Sequence, residues 1–244
     1  MKRVKKFYES VRIERTPSGL FELLLDGRSV RTPLGAKLQL GNEGLACAVA
    51  TEWELQTKFV VPNTMPINTI VMTNIDIDSK LDRREKLEQI NRFFQTDTIR
   101  FPDLNVESNL FKDQKAKWTP VIRFLGDRGV AVSQSATGFG IPESTSQEIA
   151  EIHEKIVDSY DSLTLTMLET GAKYLKSGCI SLSLIEGVLT PQEAFEAAYI
   201  EELTQRKDWG LVEGDHDLGD AETNLWLNGI HLLALVTKPP SLVI

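Results

Sequence analysis

The sequence predicts an α+β fold: a small N-terminal domain of mixed β-sheet and helix, then a C-terminal all-α orthogonal helical bundle. Three observations predict it. The first forty residues hold short alternating apolar runs set between turn-forming residues, which is strand patterning. From about Ser79 onward the apolar residues recur every three or four positions, which is helix patterning. At 244 residues the chain is long enough for two modest cores, and the division is placed between residues 1–80 and 81–244.

Taken in order, Leu20 to Leu25 and Ser29 to Thr32 flank Asp26-Gly27, a two-residue hairpin turn whose positive φ angles Asp and Gly tolerate. Pro33 to Ala36 make the next turn, and Lys37 to Leu40 alternates as a half-buried strand. Leu45, Val49 and Trp53 share one face of a helix over Asn42 to Thr57, laid on that sheet with Trp53 as its anchor. Phe59 to Val61 and Ile67 to Ile77 read as strands around a Pro62 to Pro66 turn. Leu87, Ile90 and Phe94 mark a helix over Lys80 to Phe94, and Trp118 and Pro120 belong to another over Lys112 to Leu125. Val130 to Ser135 reads as extended, before a Gly- and Pro-rich loop. Thr145 to Glu148 has the form of a capping box, followed by Ile149, Ile152, Ile156 and Tyr160 at helical spacing. Leu168, Ala172, Leu175, Cys179 and Leu182 form one stripe over Leu165 to Ile185. Thr190-Pro191 with Glu193 opens the next helix, and Leu225 to Val236 is a buried one, too short and too often interrupted to span a membrane.

Composition narrows the function classes. Apolar residues at 41% and charged residues at 25% are those of a folded globular protein. A net charge of −8 argues against nucleic acid as the main partner. Cys47 and Cys179 lack paired spacing and read as two buried thiols in a reducing compartment. The basic start has no apolar segment of the signal-peptide kind, so an imported form would have lost its address.

The stretch Tyr199 to Asp217 resists reading as ordinary helix. In a helix running on from Thr190, Phe195, Ala198, Tyr199 and Glu202 share one stripe, with Glu201 about 100° away. Glu202 is then an acid on an apolar face, which must be paired, hydrogen-bonded or protonated. Two readings stand side by side. In one, Glu202 and Gln205 face a partner; in the other, Glu202 holds an internal salt bridge, to Arg206 or another arginine. The helix should end at Trp209-Gly210, with glycine just past the end. Glu213, His216 and Asp217 follow in an acidic loop that is better read as solvated surface than as a metal site.

Motifs for catalysis are absent: no nucleophile-elbow serine, no phosphate-loop lysine, no Cys-x-x-Cys. Gly138-Phe139-Gly140 has Glu143 where a dinucleotide loop needs its third glycine. His153 and His231 lie on packing faces where a hydrogen-bonded core imidazole is expected, and Trp53, Trp118 and Trp226 read as core. No metal or cofactor is expected.

Several phrases together carry a resemblance. They are Phe7-Tyr8, Leu25-Asp26-Gly27-Arg28 with Thr32-Pro33, Glu52-Trp53 with Gln56, Met65-Pro66, and Gln114 with Trp118 and Pro120. In the second half they are Tyr199-Ile200-Glu201-Glu202 with Gln205, Trp209-Gly210, and Glu213 with His216-Asp217. From about residue 6 to about residue 236 the chain resembles the ATP synthase F(1) assembly factors that chaperone the alpha subunit. Thr204 departs from the pattern, which commonly has an aromatic before the glutamine. The resemblance implies a non-enzymatic chaperone, expected to be monomeric, that holds unassembled alpha subunit and releases it into the alpha–beta ring. It also implies an N-terminal mixed domain and a C-terminal bundle. The Glu213 to Asp217 segment looks more like the mitochondrial branch, which implies the matrix. Partner contact is then expected from Glu202, Gln205, Glu213 and Asp217, and structural roles from Trp53, Trp118, Trp209 and Gly210. The competing classes are an enzyme using Glu202 as general base and a structural scaffold subunit.

Overall fold

The computed structural model describes residues 4–78, 83–137, 140–210 and 217–237. The chain is α+β and divides into two compact units, one of Met1–Leu81 with Leu232–Ile244 and one of Asp82–His231. The residues from Leu232 thus group with the first unit, where the sequence reading kept them in the second.

In the first unit, β2 (Val11–Arg15), β3 (Phe21–Leu25) and β4 (Arg28–Ser29) form an antiparallel meander, with β5 (Gln39–Leu40) also on β3. The β3–β4 turn is built on Asp26 at φ 47° and Gly27 at φ 77°, the left-handed pair that matches strand twist. Separately, β1 (Val4–Lys5) pairs antiparallel with β6 (Phe59–Val60). Helix α1 (Glu43–Glu54) is capped by Asn42, whose side chain accepts the Leu45 N–H, and buries Leu45, Val49 and Trp53 as expected.

One strand assignment is overturned: Pro66–Asp78 is a helix, α2. Ile67, Ile70 and Val71 are buried at helical spacing. The helix start is satisfied from a distance, because the Glu52 carboxylate accepts the N–H groups of Ile67 (2.9 Å) and Asn68 (2.7 Å). This contact outweighs the strand propensity of a β-branched run, since it satisfies two of the donors a helix start leaves orphaned.

The second unit is helical: α3 (Arg83–Gln95), α4 (Asn109–Gly126), α5 (Thr145–Lys155), α6 (Ser162–Leu175), α7 (Gly178–Ile185), α8 (Pro191–Ala198), α9 (Ile200–Trp209) and most of α10 (Asp217–Thr237). Trp118 is fully buried and donates from its indole to the Ala197 carbonyl at 2.9 Å. Val130 to Ser135 is irregular, held by the Ser135 N–H on the Arg100 carbonyl at 2.7 Å.

Four expectations change here. The stripe from Leu165 to Ile185 is two helices, parted at Lys176 (φ 51°) and restarted by Ser177, which caps α7 through the Ile180 N–H. Thr145 to Glu148 forms no capping box. Instead Glu148 accepts from fully buried Arg100 at 2.6 Å, from Ser144 Oγ at 2.7 Å and from the Ser133 N–H. Cys47 is exposed while Cys179 is buried. Helix α10 buries Trp226, Leu227, Ile230 and Leu233 but exposes Leu218, Leu225, Leu232 and Leu235, so it is buried on one face only.

Candidate functional site

The Thr190 start stands as read: Thr190 and Glu193 form a capping box, with Pro191 at the first helical position. The helix then breaks at Tyr199, and α9 begins at Ile200. The indole of Trp118 takes the Ala197 carbonyl, which an unbroken helix would offer to the amide of Glu201. Phe195 and Tyr199 still stack, with centroids 4.8 Å apart, and the Tyr199 hydroxyl donates to the Tyr174 carbonyl at 2.8 Å.

The break corrects the reading of Glu202. It lies in the first turn of α9 rather than deep in a helix, and it is off the apolar stripe, with a side chain 47% exposed. Its nearest cation is Lys176, whose ammonium lies 3.9 Å from Oε1 and 5.7 Å from the centre of the Tyr199 ring. Arg206, offered as a partner, instead grips Asp220 through both terminal nitrogens, at 2.5 and 3.2 Å. Gln205 is exposed one turn on, so Glu202 and Gln205 share an accessible stretch of α9. Gly210 ends that helix at φ 87°, after Trp209. Glu213 and His216 lie outside the described residues, and Asp217 opens α10.

On the same segment Glu201 accepts from the buried Gln114 amide at 3.4 Å, and Gln114 accepts the Asp103 N–H at 2.7 Å. Lys117 pairs with Glu196, and Lys207 lies 3.8 Å from Asp113. Glu202 therefore differs from its neighbours. It is an acid at a helix start, where negative charge is favoured, yet among the described residues it is held only by a long contact to an exposed lysine. Among the described residues no His, Cys, Asp and Glu group could hold a metal ion. His153 is half-buried beside Asn91 at 2.6 Å, and burial lowers its pKa. The expected hydrogen-bonded imidazole is not seen for His231, whose buried Nδ1 has no partner among the described residues.

Sequence reasoning missed a feature of the first unit. Trp53 is buried and donates from its indole to Asn68 Oδ1 at 2.9 Å, and two grooves open on either side of it, each of about 520 Å³. One is walled by Val60, Met65, Met72 and Ile77, the other by Phe7, Tyr8, Arg28 and Val30, and Arg31 and Trp53 line both. Phe7 meets Tyr8 edge-on at 5.4 Å and Tyr8 meets Trp53 at 5.6 Å; Phe7 itself is 66% exposed. Beneath the first groove, burial pushes the Glu52 carboxyl up to about 7, against the pull of the Asn68 and Ile67 N–H groups. The sequence signal for this site lay in Glu52-Trp53 and Met65-Pro66, read there only as part of the family resemblance.

Comparison with solved structures sets the class. The chain matches the crystal structure of a candidate chaperone from Agrobacterium tumefaciens with a TM-score of 0.83 at 26% identity, over 96% of this chain and 86% of that one. It matches Atp12 from Paracoccus denitrificans with a TM-score of 0.76 at 22% identity, over 96% and 99% of the two chains, which is likeness of fold. The architecture is thus an α+β chaperone fold.

Sequence comparison sets the family. The ATP12 chaperone protein model matches residues 5–126. The mitochondrial protein atp12 of Schizosaccharomyces pombe is 31% identical over 209 residues, spanning 81% of this chain and 71% of that protein. The mitochondrial protein ATP12 of Saccharomyces cerevisiae is 25% identical over 258 residues, spanning 89% and 79%. The chain belongs to the ATP12 chaperone family.

Proposed function

We propose that this chain binds the unassembled alpha subunit of the F(1) ATP synthase in the mitochondrial matrix, prevents its aggregation and delivers it into the alpha–beta ring, as a monomer and without catalysis. The observation that carries this reading is family membership, joined to the resemblance across both halves of the sequence. The mitochondrial names of two relatives support the compartment.

The physical logic is simple. An orphan ring subunit exposes an apolar interface that would otherwise self-associate, and a chaperone need only cover it until the proper partner competes for the same face. Nothing in that cycle demands a nucleophile, metal or nucleotide. We assign Glu202 and Gln205, exposed on α9, together with Glu213 and Asp217, to the client contact, where acidic charge would steer toward basic patches.

The test is Glu202→Gln, measured by light scattering as the alpha subunit is diluted from denaturant with and without the chaperone. The long contact to Lys176 and the helix-start position together contribute about 1 kcal/mol or less. The melting temperature should therefore stay near wild type while protection of the alpha subunit weakens. Equal protection by the variant would remove Glu202 from the contact, and no protection by wild type would overturn the reading altogether.

A further inference from the structure

The grooves beside Trp53 belong to the first unit and the α9 residues assigned to the client to the second, and the grooves' chemistry is specific. The half walled by Met65, Met72 and Val60 is apolar, and methionine side chains adapt to irregular apolar shapes at little cost. The other half presents cations. Arg28 and Arg31 are both exposed, and neither makes an ion pair within 4.0 Å among the described residues. Arg31 donates from Nη1 to the Gly35 carbonyl at 2.8 Å.

The acids that line the grooves are already engaged. Asp26 accepts the Ser10 N–H at 2.8 Å, the Ser10 hydroxyl at 2.9 Å and the Glu9 N–H at 3.1 Å, bonds that with the nearby Arg28 charge hold its carboxyl below its ordinary pKa. Asp76 accepts the Thr32 hydroxyl at 2.5 Å and the Leu34 N–H at 3.1 Å. Glu22 feels the Arg31 charge and Asp26 the Arg28 charge, but neither closes on its arginine within 4.0 Å among the described residues, so the apolar hollow and the exposed guanidinium groups suit an apolar side chain and a carboxylate presented together.

We propose that this paired groove binds an extended segment of the client that places one apolar side chain against Met65 and Met72 and a carboxylate on Arg31 and Arg28. In an extended chain, residues two apart point to one face about 7 Å from each other, so apolar-x-acid is the recognised step. Charge complementarity selects this occupant, because a basic segment meets two arginines, while a purely apolar one leaves them only the nearby charges of Asp26 and Glu22, neither within ion-pair distance among the described residues. The proposal rests on the chaperone reading and adds to it the class of segment captured.

The experiment uses the full chain and two blocked, fluorescein-labelled peptides of Gly-Ser background, one with a single Leu-Ser-Glu step and its twin with Leu-Ser-Lys. Anisotropy at low salt should show about fivefold tighter binding of the glutamate peptide, the scale of one or two exposed ion pairs. Arg28→Glu with Arg31→Glu should invert the preference, which a merely structural role for the arginines would not do. If that double variant does not fold, Arg31→Gln alone should reduce the preference. Equal binding of the twins, or a preference that survives the charge reversal, overturns the proposal. The peptide arm needs no ATP synthase subunit. Failure of wild type to protect the alpha subunit would refute the chaperone reading alone, and full protection without peptide discrimination would refute the groove alone.

Discussion

Glu148→Gln isolates the buried ion pair of the second unit. Arg100 is fully buried, and its Nη1 lies 2.6 Å from a Glu148 oxygen whose side chain is 7% exposed. Among the described residues the guanidinium otherwise reaches neutral acceptors, the Phe94 carbonyl at 2.9 Å and the Ser133 carbonyl at 3.2 Å, and its Nη2 has no partner. Glutamine keeps the shape and one acceptor oxygen but leaves a buried cation unpaired, which costs about 3 to 5 kcal/mol. The retained oxygen points to the lower end of that range. At about 2 to 4 °C per kcal/mol for a chain of this size, the melting temperature should fall by about 6 to 12 °C, read by far-ultraviolet circular dichroism. Adding Arg100→Met should recover part of the loss, because the two sites are coupled. The pair also sets a pH dependence. Burial raises the Glu148 carboxyl, but hydrogen bonds from Ser133, Arg100 and Ser144 outweigh it and leave the pKa below its ordinary 4.5. Its contribution is therefore complete above about 4.5 and is lost as pH falls through the lower folded-state value, and the glutamine variant should lack that acid-side decline. A loss below about 1 kcal/mol at neutral pH would refute the reasoning.

Two further substitutions test the packing. Trp53→Phe orphans Asn68 Oδ1, now 2.9 Å from the indole N–H, and should destabilise the first unit by about 1 to 3 kcal/mol in urea unfolding; a change under about 0.5 kcal/mol would show the bond to be dispensable. Gly178→Ala sets a new methyl 2.6 Å from Cδ1 of fully buried Phe94, so the α3–α7 contact must shift, at about 1 to 3 kcal/mol; an unchanged melting temperature would mean that Phe94 can move aside freely.

What was legible in the sequence was whatever is decided locally. Asp26-Gly27 could be read because the turn needs two positive φ angles and those residues tolerate them. Thr190 and Gly210 could be read because a helix end is capped by its own nearest residues. What was not legible is decided by contacts far along the chain. Nothing near Ile67 reveals that Glu52 will supply the cap that makes α2 a helix. Nothing near Tyr199 reveals that Trp118 will claim the Ala197 carbonyl and end α8. That second contact matters for the candidate site, because a helix that restarts resets its phase. The stripe of Phe195, Ala198, Tyr199 and Glu202 exists only if the helix is continuous, and the break turns Glu202 outward.

The same distinction separates structural acids from functional ones. Glu52, Asp97 and Glu148 are all buried, and each accepts backbone N–H groups, the first two at the start of an element. Glu52 does so for α2, Asp97 accepts the Cys179 N–H at 2.8 Å and the Ser177 hydroxyl at 2.7 Å at the start of α7, and Glu148 holds the Ser133 N–H of an irregular segment. Burial raises Asp97 even against those bonds, so these carboxylates are retained for the donors they satisfy. In Glu52 and Asp97 the buried acid marks a joint between elements, whereas buried Glu169 pairs within its own helix with Lys173. Glu202 has the opposite character: exposed, loosely held, and bonded to no distant backbone. Its substitution should cost little stability, so any loss of chaperoning it causes must arise at the surface where the client would bind.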